Sequence, residues 1–188
     1  MDETSQMILA ELGDKVEKSI QHLTDQLRTI RTGRAAPALV ESIKVDYYGT
    51  PTPIQQLAHI SVPEPRQLML KPFDVSVLGE IEKAILQSDL GLSPNSDGKL
   101  LRLSLPPLSE EQRKKLAAQV KKMAEESRVA LRNERRDANK HADQAKKDGD
   151  LTEDLNRDLH ESIQDALKKG ESRIDDILEK KTKEIMEE

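Results

Sequence analysis

Three long stripes of apolar residues constrain the fold of this chain more than any other feature of its sequence. In each stripe the apolar residues recur every three or four positions, the spacing that places them on one face of an α-helix. The first stripe consists of Leu9, Leu12, Val16, Ile20, Leu23, Leu27 and Ile30. The second consists of Leu116, Val120, Met123, Ser127, Ala130 with Leu131, Ala138 and Ala142, and the third of Leu151, Leu155, Leu159, Ile163, Leu167, Ile174, Leu178 and Ile185. Because this spacing is near a 3.5-residue repeat, we expect an elongated antiparallel three-helix bundle.

Polar residues predict where the second and third helices begin. Ser109 follows two prolines and precedes Gln112 by three residues, which is the spacing of a capping box. Asp150 follows Gly149 and is expected to cap the third helix, with Glu153 at the box position.

The residues between the first two stripes differ in composition and pattern. All nine prolines of the chain lie between Pro37 and Pro107. Strands are predicted for the alternating segments SIKVDYY, LAHISV, RQLMLK and KLLRLSL, a helix for DVSVLGEIEKAILQS and a turn for SDG. The predicted fold class is therefore α+β. A discontinuous bundle of residues 1–30 and 106–188 carries an inserted, mainly β domain of residues 31–105.

The chain crosses between the two predicted domains twice, near Thr32-Gly33 and near Pro106-Pro107. Glycine adds backbone freedom and proline limits where the backbone can bend. The two chain segments that connect the domains are therefore predicted to form a hinge. The candidate hinge residues are Arg31, Thr32, Gly33, Leu105, Pro106 and Pro107.

Composition excludes several classes of protein. The chain has no cysteine, so it forms neither disulfides nor thiolate metal sites. No run approaches the roughly 20 apolar residues that span a bilayer, and the acidic N-terminus lacks the basic region of a signal peptide. We expect a soluble, cytoplasmic monomer. The only aromatic residues are Tyr47, Tyr48 and Phe73, too few for a protein that stacks on single-stranded bases.

Motifs for catalysis are absent from the sequence. HESIQ at His160 resembles a zinc-binding helix, but Gln164 stands where the second histidine ligand is required. GLSPNSDGKL has a glycine–lysine pair without the spacing of a phosphate-binding loop, and is interpreted as a hairpin turn. We therefore expect no enzyme activity, no metal and no cofactor.

The net charge of −5 conceals a strongly basic segment. Residues 111–147 carry a surplus of six positive charges, whereas residues 148–188 carry an excess of seven negative charges. On a helical wheel, Lys114, Lys121, Arg128, Arg132 and Arg135 share the side opposite the apolar stripe. The full candidate set for RNA binding is Arg132, Arg128, Arg135, Arg136, Lys121 and Lys114.

This basic face has two interpretations. Exposed lysines and arginines commonly serve only solubility and helix formation. However, Glu125 is the only acid on this face between Lys114 and Arg135, so we expect no lattice of salt bridges there. Arginine also pairs well with phosphate, which favours a polyphosphate partner and salt-dependent binding. Glu134 falls on the buried stripe, where either Arg31 or another cation reaches it or the helix is exposed.

Four motifs in this order resemble the bacterial ribosome recycling factor family: RTGRAAPALVESIKVDYYG, SDLGLSP, LPPLSEEQRKKL and ALRNERRDA. The resemblance covers nearly the whole chain. It implies an L-shaped molecule with a hinged α+β domain, and it assigns ribosome binding to Arg132 with Arg128 one turn earlier. The family often has an aliphatic residue at the position of Glu134.

The resemblance also implies a function and partners. The chain is expected to bind ribosomal RNA of the large subunit after termination. With elongation factor G and its GTP hydrolysis, it is expected to separate the subunits and release mRNA and tRNA. A coiled-coil interaction or chaperone-like module without RNA binding is the alternative, and an unrecognised hydrolase is a third possibility.

Overall fold

The computed structural model describes residues 2–187 of the chain. Its helices are α1 (Glu3–Arg28), α2 (Ala38–Glu41), α3 (Ile54–Leu57), a 3-10 turn (Val75–Val77), α4 (Leu78–Gln87), α5 (Glu110–Asp148) and α6 (Glu153–Met186). Its strands are β1 (Lys44–Tyr47), β2 (Thr50–Pro53), β3 (Ala58–Glu64), β4 (Gln67–Pro72), β5 (Ser93–Ser96) and β6 (Leu101–Ser104). The fold is α+β, with long helices that form a bundle and a small antiparallel sheet domain between α1 and α5.

Most residues of the predicted apolar stripes are buried, whereas Leu116 and Met123 of α5 and Leu155 and Leu178 of α6 are only partly buried. Leu23 of α1, Leu131 of α5 and Ile163 of α6 are each at most 1% exposed. The first stripe differs at its start, because Ile8 is buried and Leu9 is only half-buried. Ile8 lies four residues before Leu12, so the two side chains stack on one helix face.

The predicted capping box at the start of α5 is confirmed. The Ser109 amide donates to Gln112 Oε1 at 3.0 Å, and the Gln112 amide donates to Ser109 Oγ at 3.2 Å. These two hydrogen bonds satisfy amides that have no partner within the helix, so they fix its first turn.

The predicted cap of α6 was wrong. Thr152 Oγ1, rather than Asp150, accepts a hydrogen bond from the Leu155 amide at 3.3 Å. The Asp150 amide instead donates to the Ala145 carbonyl at 2.9 Å, and Gly149 has a φ of 87°. This is the Schellman arrangement that ends a helix at a left-handed glycine. Asp150 therefore belongs to the end of α5 and not to the start of α6.

The sheet domain contains two antiparallel sheets. β1 and β2 form a ribbon joined at Tyr48 and Gly49, both with positive φ, as a tight two-residue hairpin requires. The other four strands form a sheet in the order β3-β4-β6-β5. Its buried side chains include Leu68, Leu70, Leu101 and Leu103, which share one core with Ile81 and Ile85 of α4.

Two strands were not among the predicted ones. β2 contains Pro51 and Pro53, and β5 contains Pro94, residues that argue against a strand because proline lacks an amide donor. Each of these strands has only one strand neighbour in its sheet, so the missing donors are tolerated. The predicted SDG turn is confirmed, since Asp97 Oδ1 accepts hydrogen bonds from the Lys99 and Leu100 amides.

The chain divides into two compact units. One contains the residues up to Leu27 together with Ala118–Thr182, and the other contains Arg28–Ala117 together with the residues from Lys183 onward. Most of each long helix lies in the first unit. The first turns of α5 and the end of α6 belong to the second, with all of the β-strands.

Candidate nucleic-acid interface

All six candidate RNA-binding residues lie on helix α5. Val120, Ser127 and Leu131 are buried on the inner side of the helix. The cations are therefore turned away from the core of the bundle unit. Lys121 and Arg136 are exposed, whereas Arg128, Arg132 and Arg135 are half-buried along their side chains. From Lys121 to Arg136 the helix rises about 22 Å, at about 1.5 Å per residue.

Lys114 lies in the part of α5 that belongs to the other unit. Its ammonium group pairs with Glu110 Oε1 at 2.6 Å, one turn earlier in the helix. This is an ordinary exposed i,i+4 ion pair, which contributes little to stability.

Glu125 binds two of the arginines at once. Its Oε1 lies 2.8 Å from Arg132 Nη2, and its Oε2 lies 3.2 Å from Arg128 Nη1. Hydrogen bonds from Arg132 and then from Arg128 hold the pKa of the Glu125 carboxyl below its usual value. The carboxylate is thus ionised at neutral pH and shared between two guanidinium groups one turn apart.

A second carboxylate reaches Arg128 from the neighbouring helix. Arg128 Nη2 forms a short ion pair with Asp175 Oδ1 of α6, and this hydrogen bond is the main cause of a raised pKa for Arg128. The expectation that no salt-bridge lattice occurs on this face was therefore wrong for Arg128 and Arg132. A helical wheel of α5 cannot show an acidic residue on α6. It also does not show that the Glu125 carboxylate contacts two arginines, Arg128 and Arg132.

The other three candidate RNA-binding cations in the bundle unit form no ion pair among residues 2–187. Arg135 Nη1 donates to Gln164 Oε1 of α6 at 3.1 Å, a neutral partner. Among residues 2–187, no ion pair involves Lys121 or Arg136. Within that range, the face therefore combines two partly neutralised arginines with three cations that no carboxylate neutralises.

The sequence reasoning missed Asp175 and Gln164 as neighbours of the basic face. Each directly follows a buried residue of the third stripe, Ile174 and Ile163 respectively. Polar residues in that position flank a helix–helix contact, but the stripe does not indicate which helix they border.

Glu134 is partly buried and forms an ion pair with α1. Its side chain is 27% exposed, and Lys15 Nζ of α1 lies 3.6 Å from its Oε2. Lys15 pairs with Glu11 as well, at 2.9 Å. Of the alternatives for Glu134, another cation reaches it, and that cation is Lys15 rather than Arg31.

Among the candidate hinge residues, Arg31 makes the hydrogen bonds that span the greatest distance along the sequence. Its Nη1 donates to the Leu90 carbonyl at 3.1 Å, and its Nη2 donates to the Pro106 carbonyl through a short hydrogen bond. Burial lowers the pKa of the guanidinium group from its ordinary value. The Arg31 side chain thus links the two segments that connect the predicted domains. Arg31, Leu90 and Pro106 all lie in the same compact unit.

The other hinge candidates have local partners. The Leu105 side chain is buried, and its amide donates to the Arg66 carbonyl at 2.9 Å. Thr32 Oγ1 accepts from the Arg34 amide at 3.3 Å. Gly33 lies in a bend, and Pro106 and Pro107 are exposed in an irregular segment before α5.

The residues of the zinc-like motif have other partners. His160 Nε2 lies 2.8 Å from Asp143 Oδ1, and Gln164 accepts from Arg135. Across the described residues 2–187, no group of three histidine or acidic side chains is arranged to hold a metal ion. Within that same range no helix is both long and apolar enough to cross a membrane.

Comparison with known proteins gives one consistent result. The family model for ribosome recycling factor matches residues 11–186. A ribosome-recycling factor of Listeria welshimeri is 52% identical over 183 residues, which are 97% of this chain and 99% of the relative. A ribosome-recycling factor of Syntrophus aciditrophicus is 50% identical over 181 residues, 96% of this chain and 98% of the relative.

Two solved structures are also similar. A solution structure of a ribosome recycling factor matches with a TM-score of 0.76 and 38% identity, covering 99% of each chain. A second structure contains models for the T. thermophilus ribosome recycling factor and the E. coli elongation factor G bound to the E. coli post-termination complex. Its recycling factor matches with a TM-score of 0.68 and 40% identity, covering 97% of this chain and 98% of that one.

Proposed function

The chain belongs to the ribosome recycling factor family, and we propose that it separates the ribosomal subunits after termination. In this proposal it binds the post-termination ribosome and acts together with elongation factor G. GTP hydrolysis by that factor supplies the free energy, and mRNA and tRNA are released for a new round of translation. The action takes place in the cytoplasm, and the chain acts as a monomer.

The observation that carries the RNA-binding part of this proposal is the basic outer face of α5. All six candidate cations lie on this helix, in a chain whose net charge is −5. In the proposal, Arg132, Arg128, Arg135, Arg136 and Lys121 contact phosphates of large-subunit ribosomal RNA, and Lys114 extends the contact toward the start of α5. Phosphate contacts position a protein without reading sequence, so this docking depends on the shape of the RNA and on salt.

The chain itself contributes no catalytic group in this proposal. Its part is mechanical, and a long packed bundle suits it because side chains in close-packed interiors transmit strain. A bidentate ion pair adds to this packing, since Arg173 of α6 binds both carboxylate oxygens of Glu17 of α1, at 2.6 and 3.1 Å.

In this proposal, motion occurs at the two chain segments that connect the domains. The rigid bodies are residues 1–30 with 106–188, and residues 31–105. Arg31, Thr32, Gly33, Leu105, Pro106 and Pro107 form the hinge. The hydrogen bond from Arg31 to the Pro106 carbonyl supports this assignment, because it links the two segments of the hinge.

Subunit separation followed by light scattering tests this function. With post-termination ribosomes, elongation factor G and GTP, the wild-type chain is expected to lower the scattered intensity. A GTP analogue that is not hydrolysed should prevent the loss. Ribosomes that stay intact with GTP, together with binding of unfolded client proteins by the chain, would favour the chaperone-like alternative. GTP turnover by the chain alone would favour an enzyme.

A further inference from the structure

Two neighbouring glutamates on α5 have very different environments. Glu125 bridges Arg132 at 2.8 Å and Arg128 at 3.2 Å, and its side chain is 53% exposed. Glu126 is adjacent in sequence and is 63% exposed, but among residues 2–187 its only ion-pair partner is Lys122 at 4.0 Å. Glu125 therefore forms ion pairs with two of the proposed RNA-binding arginines, whereas Glu126 carries the same charge and contacts neither of them.

The arginines that Glu125 holds, Arg128 and Arg132, are two of the residues that the proposed function places in contact with RNA phosphates. Both guanidinium groups are fixed on one carboxylate, which occupies donors that a phosphate oxygen would otherwise take. Asp175 occupies a further donor of Arg128 from α6. The carboxylates of Glu125 and Asp175 thus already accept hydrogen bonds from the guanidinium groups that phosphate oxygens would bind.

We propose that Glu125 is a specificity-determining residue, which holds Arg128 and Arg132 in a self-neutralised arrangement that only a correctly spaced pair of phosphates displaces. This inference rests on the proposed function and identifies how its RNA site discriminates. Glu125 acts through the two arginines and is a positioning residue rather than an RNA contact.

The physical basis is a competition between acceptors. An RNA that presents one phosphate gains a contact with one arginine but breaks the ion pair with Glu125, so the net gain is small. An RNA surface that presents phosphates to both arginines replaces both hydrogen bonds of the carboxylate. It also uses side chains whose rotamers are already restricted, which lowers the entropic cost of binding. The carboxylate therefore weakens binding to ordinary RNA more than binding to the ribosome.

The test compares E125Q with the matched control E126Q, which removes the same charge one residue away. Affinities of the full chain for ribosomes and for a mixed-sequence RNA duplex are measured across a salt series. E125Q is expected to bind the duplex about two- to fivefold more tightly than E126Q does, the equivalent of one exposed ion pair. Its ribosome affinity should rise less, so that the ratio of ribosome to duplex affinity falls.

A double-mutant cycle separates positioning from a general effect of charge. In the R132Q background, adding E125Q should raise duplex affinity by clearly less than in the wild type, because one of the two arginines that it releases is gone. Equal increases in both backgrounds would overturn the inference, as would identical behaviour of E125Q and E126Q. A wild-type chain that binds no ribosomes at low salt would overturn the proposed function instead.

Discussion

At the scale of single residues, the Arg31 side chain connects two chain segments that are distant in sequence. Its guanidinium group reaches carbonyls at Leu90 and Pro106, which lie 59 and 75 residues away in sequence. Gly91 has a φ of +63°, and a Cβ built there would lie 3.4 Å from Arg31 Nη1. The left-handed glycine therefore gives the backbone its turn beside the guanidinium group, as only glycine does without strain.

The substitution Arg31→Lys is predicted to destabilise the fold. The lysine side chain is shorter and ends in one ammonium group, so it cannot donate to both carbonyls as the planar guanidinium group does. At least one carbonyl therefore loses its donor. We expect a loss of about 1–3 kcal/mol in the free energy of unfolding, measured by urea denaturation. Arg34→Lys is the control, because the Arg34 side chain is exposed. Equal midpoints for the two variants would contradict the contact role of Arg31.

A second prediction at this scale concerns the ion pair between Glu17 and Arg173. Hydrogen bonding from Arg173 lowers the pKa of Glu17. A carboxyl whose folded pKa is depressed stabilises the protein above its unfolded pKa of about 4.3, and this stabilisation is lost as pH falls through the folded pKa. Glu17→Gln should therefore lower the urea midpoint at pH 7, with a smaller difference from wild type at about pH 3.

Glu179→Gln on α6 is the control for this pH dependence, because Glu179 is exposed and no ion pair of the described residues involves it. Its midpoint should follow that of the wild type at both pH values. A constant difference between Glu17→Gln and wild type from pH 7 to pH 3 would contradict an ionic role for Glu17.

At the scale of elements, Gly170 of α6 marks a place where side chains of α1 and α5 pack closely against the α6 backbone. It is buried, and a Cβ built there would lie 3.0 Å from Val16 Cγ1 of α1 and 3.1 Å from Leu131 Cδ1 of α5. Gly170 lies three residues after Leu167 and four before Ile174, so it occupies a position of the third apolar stripe. The absent side chain leaves space for its neighbours from both other helices.

Two glycine-to-alanine substitutions separate helix propensity from packing. Gly13→Ala on α1 should stabilise the protein by up to about 1 kcal/mol, because its Cβ would meet no atom within 4 Å. Gly170→Ala gains the same propensity, but it must displace two core side chains at a cost of about 1–3 kcal/mol, so we expect a net loss. Urea midpoints of both variants check this. Stabilisation of similar size at both sites would contradict the close packing at Gly170.

Elements with a strong periodic pattern were predictable from sequence, whereas those determined by their place in a sheet were not. The three long helices follow directly from their stripes. β2 and β5 did not, because their prolines are acceptable only where a strand has a single neighbour, and strand order is a property of the whole sheet. The α6 cap was missed because Asp150 is a good capping residue that the glycine turn uses for α5 instead.

At the scale of the whole molecule, the same distinction applies to the candidate interface. The side of α5 that carries the cations could be predicted, since it depends only on the helix period and the buried stripe. Which cations are neutralised could not, because Asp175 and Gln164 come from another helix. Lys121 and Arg136 are left without a carboxylate partner among residues 2–187, whereas Arg128 and Arg132 share one.

The central claim is that this face of α5 binds ribosomal RNA through its cations. Co-sedimentation with ribosomes across a salt series tests it most directly, with wild type, Arg132→Gln and the control Lys122→Gln, a cation of α5 outside the candidate set. We predict that log affinity falls linearly with log salt, and that Arg132→Gln weakens binding and reduces the slope by about 1. Lys122→Gln should stay close to wild type. Wild-type affinity and slope in Arg132→Gln, or binding by the wild type that does not respond to salt, would contradict the claim.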